Sequence, residues 1–231
     1  MATYNIHFYN EYSLLVRFPD LALQEANRLV VLLDEFCSKH CHQWISDHIP
    51  AYESLLLVCN NSDNITSVKE VVNHFLKDGT PPVGQNEREE IIIPVCYDLR
   101  LGNDLEQIAA LHNMQVETLV SCHHQAIYHI YMLGFLPGFA YMGEVDEKIA
   151  TPRKPVPVPT RAGAVGIAGR QTGIYPLDSP GGWNIVGYTP IKMFEVTKPS
   201  PTALQPGELV KFMPIDLDTY YSMHKNGNGS N

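Results

Sequence analysis

Between Leu133 and Pro190 the chain gathers the residue types that hold anionic groups. Arg153, Arg161 and Arg170 surround Gly163, Gly166 and Gly169, which lie three residues apart. An arginine fork suits a carboxylate or phosphate, and glycine turns can add backbone N–H donors. The pattern therefore predicts an anion-binding turn, although a barrel corner that only glycine fits explains the glycines alone as well. Neither G-x-x-x-x-G-K-[ST] nor G-x-G-x-x-G occurs, so neither familiar nucleotide loop is present. Asp178-Ser179-Pro180-Gly181-Gly182 sets a hydroxyl and a carboxylate at a turn. No G-x-S-x-G frames Ser179, and turn capping is its simpler role. Trp183, Tyr175, Phe135 and Phe139 either line a cleft or fill a core. Cys37, His40, Cys41 and His42 crowd one helix end without a second ligand pair, so no metal site is expected.

The remainder of the chain must position these groups. Its 231 residues are 45% hydrophobic and 18% charged, enough for a proper core. The net charge of -9 argues against a nucleic-acid backbone as partner. The apolar runs are too short for a membrane span, and no secretory signal is visible. Five cysteines without a C-x-x-C repeat point to the reducing cytoplasm.

Strands are expected over 3–9 and 12–18, with Asn10-Glu11 between them as a weak hairpin turn. Ala22, Ala26, Leu29, Leu33 and Phe36 share one helical face, and Asp20 is placed to cap that helix. Short strands over 44–49 and 54–59 precede a helix marked by Val68, Val72 and Phe75, with Gly79 as its stop. The Gly/Pro/Asn-rich stretch 79–90 predicts a boundary, giving an N-terminal α+β domain over 1–84 and a second domain over 85–224. In the latter, strands are expected at 90–95, 127–133, 191–196 and 209–212. Asp104-x-x-Gln107 reads as a capping box, and a short helix covers 117–123. Pro155-Val-Pro-Val-Pro159 must be extended at an edge or in a loop. Short strands joined by glycine turns indicate a barrel or sandwich. The tail 225–231 is expected to be disordered.

Five motifs in this order carry a family resemblance: Gly134-Phe-Leu-Pro-Gly-Phe-Ala-Tyr-Met-Gly143, Ala150-Thr-Pro-Arg153, Gly163-Ala-Val-Gly-Ile-Ala-Gly169, Gln171-Thr-Gly-Ile-Tyr-Pro176 and Ser179-Pro-Gly-Gly-Trp183. Together they resemble the B-subunit family of 5-oxoprolinase, which includes the Kip-type sensor kinase inhibitors and is similar to part of the urea carboxylase carboxyltransferase region. The resemblance implies an α+β protein: a small N-terminal α/β sandwich domain followed by a cyclophilin-like β-barrel. It further implies ATP-dependent opening of 5-oxo-L-proline to L-glutamate, in an assembly with 5-oxoprolinase subunits C and A. No cofactor would be bound by this chain alone, because the assembled enzyme uses ATP through another component. A second reading is a cytoplasmic inhibitor that binds a sensor histidine kinase and blocks its autophosphorylation.

Within the first reading, the site must neutralise a carboxylate and a phosphate or oxyanion. The expected catalytic residues are His123, Arg161, Gln171 and Ser179. The expected substrate-binding residues are Arg153, Gly166, Gly169, Tyr175 and Trp183. His123 stands where the family has a histidine, and His129 departs from the family's arginine.

Overall fold

The computed structural model describes residues 3–77 and 90–228. The chain divides into two compact units, the first ending at Glu87. That division, the boundary expected after residue 84 and the Gly79 stop all lie outside the described residues.

In the first unit, β1 (Asn5–Asn10) and β2 (Ser13–Arg17) form a hairpin. Asn10 pairs with Ser13, so the turn is Glu11-Tyr12, one residue later than expected. The Asn10 side chain accepts the Tyr12 N–H at 2.8 Å, a local bond that shapes the turn. Helix α1 (Leu23–His40) follows with Ala22 at the cap position and no side-chain cap, so Asp20 does not cap it. Then come β3 (Ile45–Ala51), β4 (Ser54–Cys59) and α2 (Asn64–Lys77). The sheet is antiparallel in the order β1-β2-β4-β3. Strand alternation puts Leu14 and Val16 with Leu55, Leu57 and Cys59 on one face. These residues share a core with Leu29, Val30 and Leu33 of α1 and Val68 and Val72 of α2.

The second unit contains β5 (Glu90–Cys96), α3 (Leu105–Leu111), α4 (Val116–Gln125), β6 (Ile127–Leu133) and β7 (Ala140–Gly143). Strands β8 (Val158–Thr160), β9 (Ala164–Ala168), β10 (Gln171–Ile174), β11 (Ser179–Gly181), β12 (Asn184–Tyr188) and β13 (Leu209–Ile215) follow, then α5 (Leu217–Asn228). Seven strands close a barrel in the order β10-β7-β6-β13-β5-β12-β9, and closure removes free sheet edges. Ile130, Met142, Val165, Ile167, Ile174, Val186 and Phe212 form its core, joined by Leu105 and Ile108 of α3 and Leu119 of α4. Strands β8 and β11 form a separate ribbon with Pro159 opposite Pro180, so the end of the proline run is extended as expected, while Pro155 and Val156 form a bend. The α+β class with a barrel unit is the one anticipated.

Two further expectations fail in the second unit. Residues 191–196 are not a strand; they make only an isolated bridge, Phe194 to Thr202. Pro199 and Pro201 lack ladder donors, and Val196 is left exposed. The tail expected to be disordered from 225 is instead helical as far as Asn228. Asp216 accepts the Thr219 N–H at 2.7 Å, a side-chain cap that starts this last helix. Among the described residues, no helix is long and apolar enough to cross a membrane.

Candidate functional site

The outer face of the barrel carries most of the expected site residues, and glycine decides its shape. Tyr141, Gly173, Gly166 and Ile185 stand side by side on four successive strands. The two glycines leave a seat for Trp183. A Cβ on Gly173 would lie 3.1 Å from the Trp183 ring and 2.9 Å from the Ala140 carbonyl, and one on Gly166 would lie 3.0 Å from Trp183 Cβ. Phe139 packs edge-on against Trp183 (5.3 Å) and Tyr175 (5.1 Å), and Phe135 packs edge-on against Phe139 (5.6 Å). Edge-to-face packing of this kind adds to the burial of each ring. Tyr175 lies under Gly181, where a Cβ would collide with its hydroxyl. Burial pushes the Tyr175 phenol up, opposed by its bond to the Trp183 backbone and by the charge of Arg153.

Arg153 lies along this aromatic corner, its guanidinium against Gly182. The loop that carries it is tied down on both sides. Asn184 donates to the Pro152 carbonyl (2.9 Å), and the Lys154 N–H donates to the Gly182 carbonyl (2.8 Å). Lys154 Nζ pairs with Asp104 at 2.6 Å. Ser179 begins the strand that crosses Tyr175, and its Oγ is buried with no hydrogen-bond partner among the described residues. Arg153, Gly166, Tyr175, Ser179 and Trp183 thus belong to one corner of the barrel.

Other expected residues lie elsewhere. Gln171 shares the outer face but sits at the opposite end of β10, in the row Gln171–Gly143–His129. The Tyr131 ring fills the space that a Cβ on Gly143 would take. The Arg161 guanidinium stacks over Tyr188, 5.7 Å from the ring centre. Arg170 is held by Glu144 (2.6 Å) and Glu147. The expected anion-binding glycine turn does not form. The Gly163 N–H donates to the Tyr175 carbonyl (2.8 Å) and the Gly169 N–H to the Thr151 carbonyl (2.7 Å), while Gly166 is a ladder residue beneath Trp183. These glycines serve as corner, turn and ring seat, so Gly166 and Gly169 offer no donor to a substrate. The aromatic residues fill a core at this corner instead of lining a cleft, and Arg153 borders them.

His123 is the clearest correction. It is fully buried inside the barrel, stacked on Phe212 with ring centres 4.9 Å apart. Thr172 Oγ1 donates to the Gly166 carbonyl (3.1 Å), so its oxygen accepts from His123 Nε2 (2.9 Å). The Tyr97 hydroxyl then donates to Nδ1 (2.8 Å). Burial, reinforced by His124, pushes this imidazole down to about 3. With both nitrogens engaged and no exposed edge, it cannot exchange protons with a substrate as an acid or base.

Sequence reasoning passed over Asp104, Lys154 and Asn184. Asp104 looked like a helix cap, yet its side chain makes no capping bond; it accepts the Ile185 N–H at 2.6 Å and holds Lys154. Asn184 adjoins Trp183 in a quoted motif, and its side-chain amide also reaches the Ile167 carbonyl (3.2 Å). Only its position after Gly-Gly-Trp could have flagged it.

Known proteins give these positions a context. Residues 4–204 match the model of the carboxyltransferase domain, subdomain C and D. The chain is 32% identical to the B subunit of 5-oxoprolinase from Bacillus subtilis over 236 residues, covering 97% of this chain and 98% of that protein. It is 44% identical to the Haemophilus influenzae protein of the same name over 134 residues, covering 57% of this chain and 62% of that one. Among solved structures, TTHA0988 superposes with a TM-score of 0.76 at 32% identity over 88% of this chain. This chain spans only 40% of that longer polypeptide. A barrel closed in this order, with a match that runs nearly end to end, places the chain in the B-subunit family of 5-oxoprolinase, among the carboxyltransferase-type proteins.

Proposed function

We propose that this chain is the B subunit of an ATP-dependent 5-oxoprolinase, opening 5-oxo-L-proline to L-glutamate with the A and C subunits. The observation that carries this reading is the near end-to-end match to the Bacillus subtilis protein. A five-membered lactam is a poor electrophile. A partner using ATP would phosphorylate the lactam oxygen; water added at that carbon then lets the ring C–N bond break, and a second water releases phosphate. The absence of both familiar nucleotide loops from the sequence fits a chain that leaves ATP to a partner.

The barrel corner supports a binding role for this chain. Arg153 has no ion-pair partner among the described residues and offers its fork to the substrate carboxylate. Tyr175 and Trp183 form the wall behind it, with the buried Ser179 hydroxyl, unpartnered among the described residues, in the same corner. The corner is filled by the protein's own rings, so a second polypeptide is needed to enclose the reacting ring and exclude water. The test is reconstitution with the A and C subunits of the same source, ATP and 5-oxoproline. Glutamate should form only when this chain is present. Equal glutamate formation without it overturns the proposal.

A further inference from the structure

We infer that Asp104 is a positioning residue: through Lys154 it holds the loop that presents Arg153 to the substrate, an inference that rests on the 5-oxoprolinase reading above. Asp104 stands at the cap position of α3, where a carboxylate ordinarily bonds the free N–H groups of the first turn. It makes no such bond. One of its oxygens, Oδ2, instead accepts from both Lys154 Nζ and the Ile185 N–H, each at 2.6 Å. The pair is largely buried, with side-chain exposures of 21% for Lys154 and 10% for Asp104. A buried ion pair is a weak device for stability, because desolvation offsets its attraction, whereas it does fix geometry.

That geometry converges on Arg153. Its neighbours Pro152 and Lys154 are bonded to Asn184 and Gly182, and the Asp104 carboxylate ties Lys154 to the start of β12 beside Trp183. Arg153 itself is exposed, with its guanidinium lying along Gly182. The surroundings immobilise the backbone on either side of this one side chain and leave its head free to meet a ligand. A binding group held this way loses less freedom when the ligand arrives.

The experiment uses the reconstituted enzyme with 5-oxoproline as the varied substrate. Asp104→Asn and Lys154→Met should each raise KM about tenfold with kcat little changed, because a misplaced binding group weakens substrate capture. Lys154→Arg, which keeps the charge, should restore most of the loss. In an Arg153→Ala background neither substitution should raise KM further, since both act through Arg153. Wild-type KM in the single variants, or full additivity with Arg153→Ala, overturns the inference while leaving the functional reading intact. If Asp104→Asn does not fold, Lys154→Met and Lys154→Arg decide the matter alone. A wild-type assembly that makes no glutamate overturns the functional reading and the positioning role together.

Discussion

Thr172 and Gly173 are consecutive residues of β10, and they serve opposite faces of the barrel. Thr172 turns inward and joins His123, Tyr97 and the Gly166 carbonyl in a closed set of hydrogen bonds. Gly173 faces outward, and the side chain it lacks makes room for Trp183 and Phe139. The inner set is polar yet sealed: each His123 nitrogen has one partner, so the ring is structural. The outer set is aromatic yet bordered by the exposed Arg153, the group through which the proposed function would reach a ligand. A single step along a strand separates a buried polar core from a candidate binding surface, because side chains alternate across the sheet.

This contrast can be broken from either side. The largest expected effect is outside: Trp183→Ala should cost about 3–5 kcal/mol in chemical denaturation, as for a large buried ring. A loss below about 1 kcal/mol, the range of a surface substitution, would show that the outer corner is not packed like a core. Next is the inner face, read by pH. The folded His123 is pushed down from 6.5 to about 3, so the unfolded chain binds a proton that the folded chain refuses. The stability held by the neutral ring is complete above pH 6.5 and falls as pH drops toward 3. Between pH 6.5 and 5 the wild type should lose about 2 kcal/mol more than His123→Gln. Urea midpoints at the two pH values test this, and parallel slopes for the two proteins would refute a sealed neutral histidine.

The smallest effects separate two glycines. Gly173→Ala should cost about 1–3 kcal/mol, because its Cβ meets the Ala140 carbonyl and two rings at 2.9 to 3.1 Å. Gly169→Ala has open space around it and only a φ of +60° to resist it, so about 1 kcal/mol is expected. Thermal melts that rank the two in the reverse order would mean that Trp183 shifts easily and that its seat is soft.

Local pattern made much of this molecule legible. The short strand over 54–59, the helical spacing from Ala26 to Leu33 and the strand at 127–133 all correspond to elements found in place. The structure also brings Arg153, Tyr175, Ser179 and Trp183, all from these motifs, together at one corner of the barrel. Errors arose where a residue's partner is remote in sequence. Asp104 reads as a cap from its neighbours, yet it bonds to residues 50 and 81 positions away. His123 is expected as a catalytic residue from its place in the family resemblance, yet Thr172 lies 49 positions away and fixes it as a core group.

The amino-acid order alone therefore determined many of the helices and strands, since propensity, periodicity and turn chemistry act over a few residues, but not the stretch 191–196 or the last helix. It also determined the family, because five ordered motifs are a linear property of the chain. Only the closed barrel decided which side of each strand faces solvent, which glycine N–H groups are already spent, and which arginine borders the aromatic corner. Those outcomes depend on strand register and ring closure between distant segments, and no local window contains them.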